Sequence, residues 1–527
     1  MSNQRGEIRY KQLSENIPHM TVKKILMMVF VLLCWLDNVC AEDLGKEERI
    51  HAAQSILREA SRLIPKISEQ LMVSSGSRHM QSREVSLLED IAKLQGQVGD
   101  QEGLRSSAGQ AVHIVEGKSH SAYPLTLIGN AQVEAGFADD GAYTAEAALE
   151  VVLAVKAENR NIDAHLFNIL DLFMRAGKFD RAVETATMIS REFQRAHAFA
   201  VIAFYQSKAG NHEEARKLDF QSQSIANGLE NTKRKAELVI FRAKRQMEGH
   251  DFQKANKMFR EANVLINELP NPEDRAYLLR QIAVAHKALN GGEIFLSSLE
   301  KVIKEIKSIH KPKTRAIRYL DLTNTLFELK KRRHARQLIN KAFEETQFIT
   351  DPCDKASTLF QVGSAQLKLG EEKRAKETMS LGLKALEDIK KLRDRIIPLQ
   401  TLLWTNNGAE TLQLSELSNI QKFIDAIPND EMASQSFALM TLAELQVRNG
   451  FVDQALVSMN RMQETSIFRG MAIKSIATVK AETEDFRKVM EWARDLTAPL
   501  DTVNALIGIA NGIIHGITIK VRPAGMK

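Results

Sequence analysis

The stretch MRAGKFDRAVETA, residues 174–186, decides the fold of this chain. Its glycine, Gly177, is followed five residues later by Ala182, and the segment SKAGNHEEARKLD, residues 207–219, repeats the spacing 33 residues further on. Glycine ends a helix where a left-handed backbone is needed, because a Cβ is costly there. Alanine leaves room for two helices to approach closely. The spacing therefore predicts two antiparallel helices joined by a tight glycine turn.

The same unit recurs along most of the chain at intervals of 33 to 42 residues. Eight of its eleven turn markers are glycine, and the markers fall at Gly99, Gly136, Gly177, Gly210, His250, Gly292, Lys330, Gly370, Gly408, Gly450 and Glu484. Seven residues before the marker the chain usually carries alanine or glycine. Five residues after it a small residue recurs at Gly141, Ala182, Ala215, Ala255, Ser297, Ala335, Ala375 and Ala455. Repeated two-helix units of this length predict an α-solenoid.

The small residue, the glycine seven positions later and the alanine five positions beyond it resemble the tetratricopeptide repeat (TPR). The resemblance extends over roughly residues 80–490. Most intervals exceed the family's period of about 34 residues, and its tryptophan and tyrosine positions are mostly unfilled. The resemblance implies an all-α fold, a right-handed α-solenoid of antiparallel helix pairs. It also implies a binding role, without specifying a ligand.

Both ends of the repeat array are expected to be covered by terminal helices, because an open end exposes an apolar face. Residues 42–80 are predicted to form an N-terminal helical cap, followed by the repeat array over residues 81–517. The segment VNALIGIANGIIHGI, residues 503–517, is predicted to be one further first helix. Residues 518–527 are expected to form a C-terminal tail.

Residues 1–41 have the pattern of a secretory signal, with Met20 as an alternative start. Lys23 and Lys24 precede a short apolar core, which is followed by small residues at Val39 and Ala41. We expect cleavage between Ala41 and Glu42 and export to the periplasm or the extracellular space. The alternative is an uncleaved membrane anchor over residues 25–36.

The sequence offers no catalytic, cofactor or metal motif. It contains no G-x-x-x-x-G-K-[ST], H-E-x-x-H, C-x-x-C or G-x-S-x-G pattern. His197 and His286 lie on predicted helices without a second ligand at metal spacing, and Cys353 lies in a turn between repeats. These residues are therefore interpreted as ordinary structural side chains, and no enzyme activity or cofactor is predicted.

One basic segment stands out from a chain whose formal net charge is only +6. Residues 301–345 carry thirteen Lys or Arg against five Asp or Glu. Within it, Lys330, Lys331, Arg332 and Arg333 occupy a turn where other repeats have glycine. We interpret these four residues as a candidate patch for an anionic partner, with a solvated turn as the alternative. Nucleic acid is not expected, because the whole chain is close to neutral, export is predicted, and aromatic residues are not interleaved with the basic ones.

The function predicted from these patterns is an exported, non-catalytic scaffold that binds a peptide or protein segment on its helical repeat surface. The first alternative is an envelope structural component held by the uncleaved anchor. A non-catalytic region of an enzyme ranks after both.

Overall fold

A computed structural model describes residues 45–71, 78–115, 122–156, 162–290, 292–404, 412, 414–427, 432–464 and 466–520. Within these ranges the protein has 24 α-helices, one short 3₁₀-helix at Leu392–Arg395 and no strand. The predicted signal, its cleavage site at Ala41–Glu42 and the marker Gly408 lie outside the described residues. No helix in the described part of the chain is both long enough and apolar enough to span a bilayer.

The helices follow one another in pairs. The first twelve are α1 Lys46–Leu71, α2 Arg78–Gln97, α3 Gln101–Val115, α4 Ala122–Glu134, α5 Ala138–Lys156, α6 Asp163–Arg175, α7 Phe179–Thr187, α8 Glu192–Lys208, α9 His212–Gly228, α10 Thr232–Glu248, α11 Phe252–Asn267 and α12 Pro272–Asn290. The others are α13 Gly292–Lys307, α14 Pro312–Glu328, α15 Arg332–Thr346, α16 Pro352–Lys368, α17 Glu372–Glu387, α18 Ile396–Trp404, α19 Leu414–Asp425, α20 Met432–Arg448, α21 Val452–Asn460, α22 Ile467–Thr483, α23 Phe486–Arg494 and α24 Pro499–Lys520. The even-numbered helices are called first helices and the odd-numbered ones second helices. The chain is thus the predicted all-α, TPR-like solenoid.

The turn between the two helices of a unit adopts the left-handed backbone that the glycine pattern predicts. Positive φ angles occur at Gly99, Gly136, Gly177, Gly210, Gly370 and Gly450 and also at the two non-glycine markers, His250 (φ 63°) and Lys330 (φ 56°). In each case the amide of the next residue donates to a carbonyl of the preceding helix, as Lys331 does to Leu326 at 2.9 Å. The prediction of helix-ending turns is confirmed at these eight markers.

The small positions on the two helices let the backbones approach, as predicted. A Cβ at Gly141 would lie 3.0 Å from the carbonyl oxygen of Gly129 on the facing helix. Ala182, Ala375 and Ala455 are fully buried, and Ala215 is also in the core. These residues therefore hold helix pairs together by close backbone contact.

One marker, Gly292, was placed wrongly. Gly292 begins α13 instead of ending α12, and Ser297 is exposed rather than packed between helices. The buried residue at this level is Phe295, which lies 40 residues after Ala255 and 40 before Ala335. A phenylalanine fills the position that alanine fills elsewhere. Glu484 ends α22 as expected, but in an extended conformation (φ −117°) that does not require glycine.

An arginine at the start of several first helices bonds back to the end of the preceding unit. Arg315 Nη1 donates to the carbonyl oxygens of Ile309 at 2.6 Å and His310 at 2.9 Å, at the end of the preceding second helix. Arg195, Arg275 and Arg395 make equivalent bonds. These side chains satisfy carbonyl groups that the helix C-terminus leaves without partners, and they tie successive units together.

The two ends of the chain pack against each other. The last helix, α24, packs along α1 in the way that a first helix packs along the second helix of its own unit. It also contacts α2, which takes the place of the next first helix in the series. Lys474 Nζ on α22 lies 2.6 Å from Asp90 Oδ2 on α2, and Arg494 Nη2 on α23 lies 3.0 Å from Glu59 Oε2 on α1. The solenoid is therefore a closed ring, in which the C-terminus supplies the first helix and the N-terminus the second helix of one shared pair.

The apolar core continues across this closure. One cluster of buried side chains runs from Ala53 to Leu218 in the N-terminal part and from Ala356 to Ile514 in the C-terminal part. Helix α24 is buried almost all round, with Val503, Leu506 and Ile509 at 1% exposure or less. The predicted caps thus take a different form, because the two terminal helices cover each other rather than covering two separate ends. Helix α24 continues to Lys520, beyond the boundary predicted at residue 517.

First helices form the inner layer of the ring. Each first helix contacts the first helices before and after it, including α24 with α2. In the described part of the chain, second helices make comparably extended contacts only between α1 and α3 and between α3 and α5. In a curved stack the more closely spaced layer is the inner one. The concave surface of the solenoid is therefore the interior of the ring.

Replacing Lys330 with glycine should stabilise the protein by about 1 kcal/mol, because an L-residue with left-handed backbone costs roughly 1–2 kcal/mol. The Lys330 side chain is exposed, so little packing is lost. Gly370→Ala, at the equivalent turn one unit later (φ 79°), should cost a similar amount. Urea denaturation of the two variants measures both effects. A destabilised Lys330→Gly variant would contradict this account of the turn.

Candidate functional site

The interior of the ring contains a cavity of about 820 Å³ where the ends of the chain meet. Its walls come from four first helices, α2, α20, α22 and α24. Asp90, Lys93, Leu94 and Gln97 line it from α2, at the spacing of one helix face. The cavity therefore exists only because the ring closes.

Charges of both signs from different helices face this cavity. Lys474 on α22 forms the ion pair with Asp90 on α2. Ser475 Oγ donates to Glu444 Oε1 of α20 at 3.2 Å, and His515 Nδ1 of α24 lies 3.1 Å from Glu482 Oε1 of α22. Lys93 and Arg448 add two further cations to the lining. The lining is polar and close to balanced in charge.

Burial perturbs two carboxyl groups at this site. It raises the pKa of Glu89 to about 7, with the neighbouring charge of Asp90 adding to the effect and Lys93 and Lys474 opposing it. Burial also raises the pKa of Glu444, although the hydrogen bond from Ser475 and the charge of Arg448 act against the rise. The closure region therefore holds carboxyl groups whose ionised forms are disfavoured.

Replacing Glu89 with glutamine should stabilise the protein at pH 8. Because the folded pKa is raised, the protonated carboxyl contributes stability that is full below about pH 4.5 and is lost as the pH rises through about 7. The glutamine side chain is neutral at every pH tested. The free energy of unfolding at pH 8 should therefore rise by an amount on the order of 1 kcal/mol after solvent screening. Denaturant unfolding between pH 4.5 and 8 tests this, with exposed Glu47→Gln as the control. Parallel pH profiles for wild type and Glu89→Gln would contradict it.

The predicted basic patch lies elsewhere, at the turn between α14 and α15. Lys330, Lys331, Arg332 and Arg333 are all exposed there. Arg332 Nη2 donates to the carbonyl oxygen of Leu369 at 3.2 Å, at the C-terminal end of α16. One member of the patch thus caps the neighbouring unit, so its replacement affects stability as well as charge. The role of the patch in binding remains a prediction.

The three residues considered for chemistry are structural in their surroundings. His197 stacks on Phe167 with ring centroids 5.1 Å apart, and burial followed by the charge of Arg245 lowers its pKa to about 4. Burial also lowers the pKa of His286, whose ring meets Phe259 edge to face. Burial raises the pKa of the Cys353 thiol, which opposes formation of a reactive thiolate.

Sequence reasoning missed the cavity because its residues come from opposite ends of the chain. Lys474 and Asp90 are 384 positions apart.

The last helix carries one sequence signal of close helix packing, because Gly508 and Gly512 are spaced by four residues on one helix face. A Cβ at Gly508 would overlap the carbonyl oxygen of Lys474, and one at Gly512 would overlap that of Thr478. This spacing indicates a helix with a close neighbour on its glycine face.

Comparison with known proteins gives fold-level likenesses to solved structures. No family model matches the chain, and no curated protein matches its sequence. Ton1535 from Thermococcus onnurineus NA1 is 16% identical, with 65% of this chain and 98% of that chain covered and a TM-score of 0.30. Yeast Tom70 is 12% identical, with 84% and 98% covered and a TM-score of 0.28. A circular tandem repeat protein is 11% identical, with 89% and 98% covered and a TM-score of 0.19.

Proposed function

We propose that the protein is an exported, non-catalytic scaffold that binds a polypeptide segment in the interior of its ring. The observation that carries this proposal is the cavity of about 820 Å³, whose lining combines side chains from α2, α20, α22 and α24. A polypeptide carries both charges and backbone hydrogen-bonding groups, which suit a lining of Lys93, Arg448, Glu482 and Asn511. Helical repeat folds present such extended concave surfaces to protein partners.

The contacts of the polar side chains favour binding over catalysis. Nucleophilic catalysis of the serine–histidine type needs the histidine within hydrogen-bond reach of the serine hydroxyl. Ser475 is bonded to the Glu444 carboxyl, while His515 contacts Glu482. No group of three or more metal-ligating side chains is present among the described residues.

Site-specific photo-crosslinking tests the binding proposal in the native cell. A photoreactive amino acid at Gln97, in the cavity, should give a defined protein adduct. The same amino acid at Lys257, an exposed position on the second helix α11, should not. Mass spectrometry of the adduct identifies the crosslinked segment. Equal labelling from both positions, or none from Gln97, would refute binding inside the ring.

Export rests on the sequence of residues 20–41, and sequencing of the mature N-terminus tests it. A chain that begins at Glu42 supports an exported scaffold. A chain that retains residues 25–36 supports the alternative, an envelope component held by an uncleaved anchor.

A further inference from the structure

A second site in the ring interior is defined by three cations on neighbouring first helices. Lys244 and Arg245 lie on α10, and Arg280 lies on α12. Lys244 is six residues before the marker His250, as Lys93 is before Gly99 and Glu444 before Gly450. Lys93 and Glu444 both line the closure cavity. The repeat register therefore directs Lys244 to the ring interior as well.

The closure cavity provides an internal reference for this site. Arg280 is five residues after Arg275, and Lys474 is five residues after Arg469, so the two cations occupy equivalent positions. Gln281 Oε1 accepts from Lys244 Nζ at 2.5 Å, just as Ser475 contacts Glu444 at the closure. At the closure, the carboxyl of Glu444 thus lies beside Lys474. On α10 and α12 the equivalent positions hold Lys244 and Arg280, so two cations take the place of a carboxyl and a lysine.

The nearby carboxylates pair with arginines, two of them members of the site itself, and none of them reaches Lys244. Glu248 pairs with Arg245 at 2.9 Å. Asp321 lies 2.9 Å from Arg318 and only 3.9 Å from Arg280, while Glu273 pairs with Arg318 at 2.6 Å. Among the described residues, no carboxylate lies within ion-pair distance of Lys244. Lys244 Nζ instead contacts the amide oxygen of Gln281, and an amide does not neutralise an ammonium group.

The arginines also keep unused hydrogen-bond donors. The Nε atoms of Arg245 and Arg280 are buried and have no hydrogen-bond partner. Burial, followed by the charges of Arg280 and Arg245, lowers the pKa of Lys244. Like charges gathered in a partly buried place are unfavourable unless an anion joins them. The guanidinium of Arg245 also lies over the rings of Phe204 at 4.8 Å and Phe241 at 4.9 Å, which adds apolar surface beside the cations.

We infer that Lys244, Arg245 and Arg280 form an anion site that binds carboxylate side chains of an acidic polypeptide segment. This inference rests on the proposed function, because it assigns a charge to the segment that the ring takes up. Arginine and lysine bind carboxylates by charge-assisted hydrogen bonds, and neighbouring aromatic rings suit the aliphatic part of a peptide better than a free inorganic anion.

Fluorescence anisotropy with a fluorescein-labelled hexaglutamate peptide tests the site on the full mature chain. Lys244→Glu, which reproduces the arrangement found at Glu444, should weaken peptide binding at least tenfold. Lys257→Glu, which makes the same charge change on the outside of the ring, should leave it within about twofold, because a distant exposed charge acts only through screened attraction. Equal loss in both variants, or no loss in Lys244→Glu, would overturn the inference. Sodium phosphate at matched ionic strength should compete poorly, and full competition would reassign the site to a small inorganic anion.

A stability measurement provides a test that needs no ligand. Lys244→Met should raise the midpoint of urea denaturation, because it removes one of three like charges, whereas Lys257→Met should not change it. A lowered midpoint for Lys244→Met would show that the lysine has a structural role and would contradict the anion site. If hexaglutamate fails to bind while crosslinking at Gln97 succeeds, this inference falls and the proposed function stands.

Discussion

Replacing Gly508 with alanine should destabilise the protein by about 1–3 kcal/mol, because it overpacks the contact between α24 and α22. The new Cβ would overlap the carbonyl oxygen of Lys474 and lie 2.7 Å from Ala477 Cβ. A backbone oxygen cannot rotate away as a side chain can, so α24 must move from α22. The double variant with Gly512→Ala should lose more, since Gly512 faces Thr478 in the same way.

Gly109→Ala is the matched control for this substitution. Gly109 is exposed inside α3, and a Cβ there would meet no atom within 4 Å. Alanine is the better helix former, so this variant should gain about 0.5–1 kcal/mol. Denaturant unfolding of both proteins gives the comparison. If Gly508→Ala gains as much as Gly109→Ala, α24 does not pack against α22 as described.

Replacing Asp501 with alanine should cost about 3–5 kcal/mol, because it leaves Arg469 as an uncompensated buried charge. Arg469 Nε lies 2.7 Å from Asp501 Oδ2, and the two side chains are 10% and 3% exposed. The same guanidinium donates to the carbonyl oxygens of Met459 and Met462, so it joins α21, α22 and α24. Burial raises the pKa of Asp501, and the contact with Arg469 opposes that rise.

Lys217→Ala is the control for the buried pair. Lys217 pairs with Glu213 and Glu214 on the exposed surface of α9, and such solvent-screened pairs contribute little to stability. A double variant, Arg469→Met with Asp501→Leu, should recover much of the loss, because an apolar pair leaves no charge unpaired. If Asp501→Ala unfolds at the same denaturant concentration as Lys217→Ala, the pair does not hold α24 against α22.

The local structure of each unit could be predicted because its causes lie within one repeat. Gly177 and Ala182 are five positions apart, and the backbone conformation of the turn depends on those few residues. The same rule placed His250 and Lys330 at left-handed turns without glycine. It failed at Gly292. This glycine lies two residues after the position that the 40-residue spacing of Ala255, Phe295 and Ala335 gives for the marker.

The closure of the ring could not be predicted because it depends on small rotations that accumulate over all the repeats. No single unit determines whether α24 meets α1. The arginine of the first turn was visible in the sequence as the pair Arg315–Ala316, but its carbonyl partners depend on the geometry of the turn before it. The anion site needed both the repeat register and the neighbouring carboxylates, and only the register can be read from the sequence.

The distance between Glu59 and Arg494 tests the central claim, that the chain is a closed ring. These residues join the second helices α1 and α23 across the closure, at 3.0 Å. Glu146 and Arg181 join the second helices α5 and α7 inside the chain, at 2.5 Å, and provide the reference. Electron paramagnetic resonance on spin-labelled pairs should give the same short, narrow distance distribution for both, in a chain whose three cysteines are replaced by serine. A long or broad distribution for 59 and 494, beside a short one for 146 and 181, would show an open superhelix and contradict the ring.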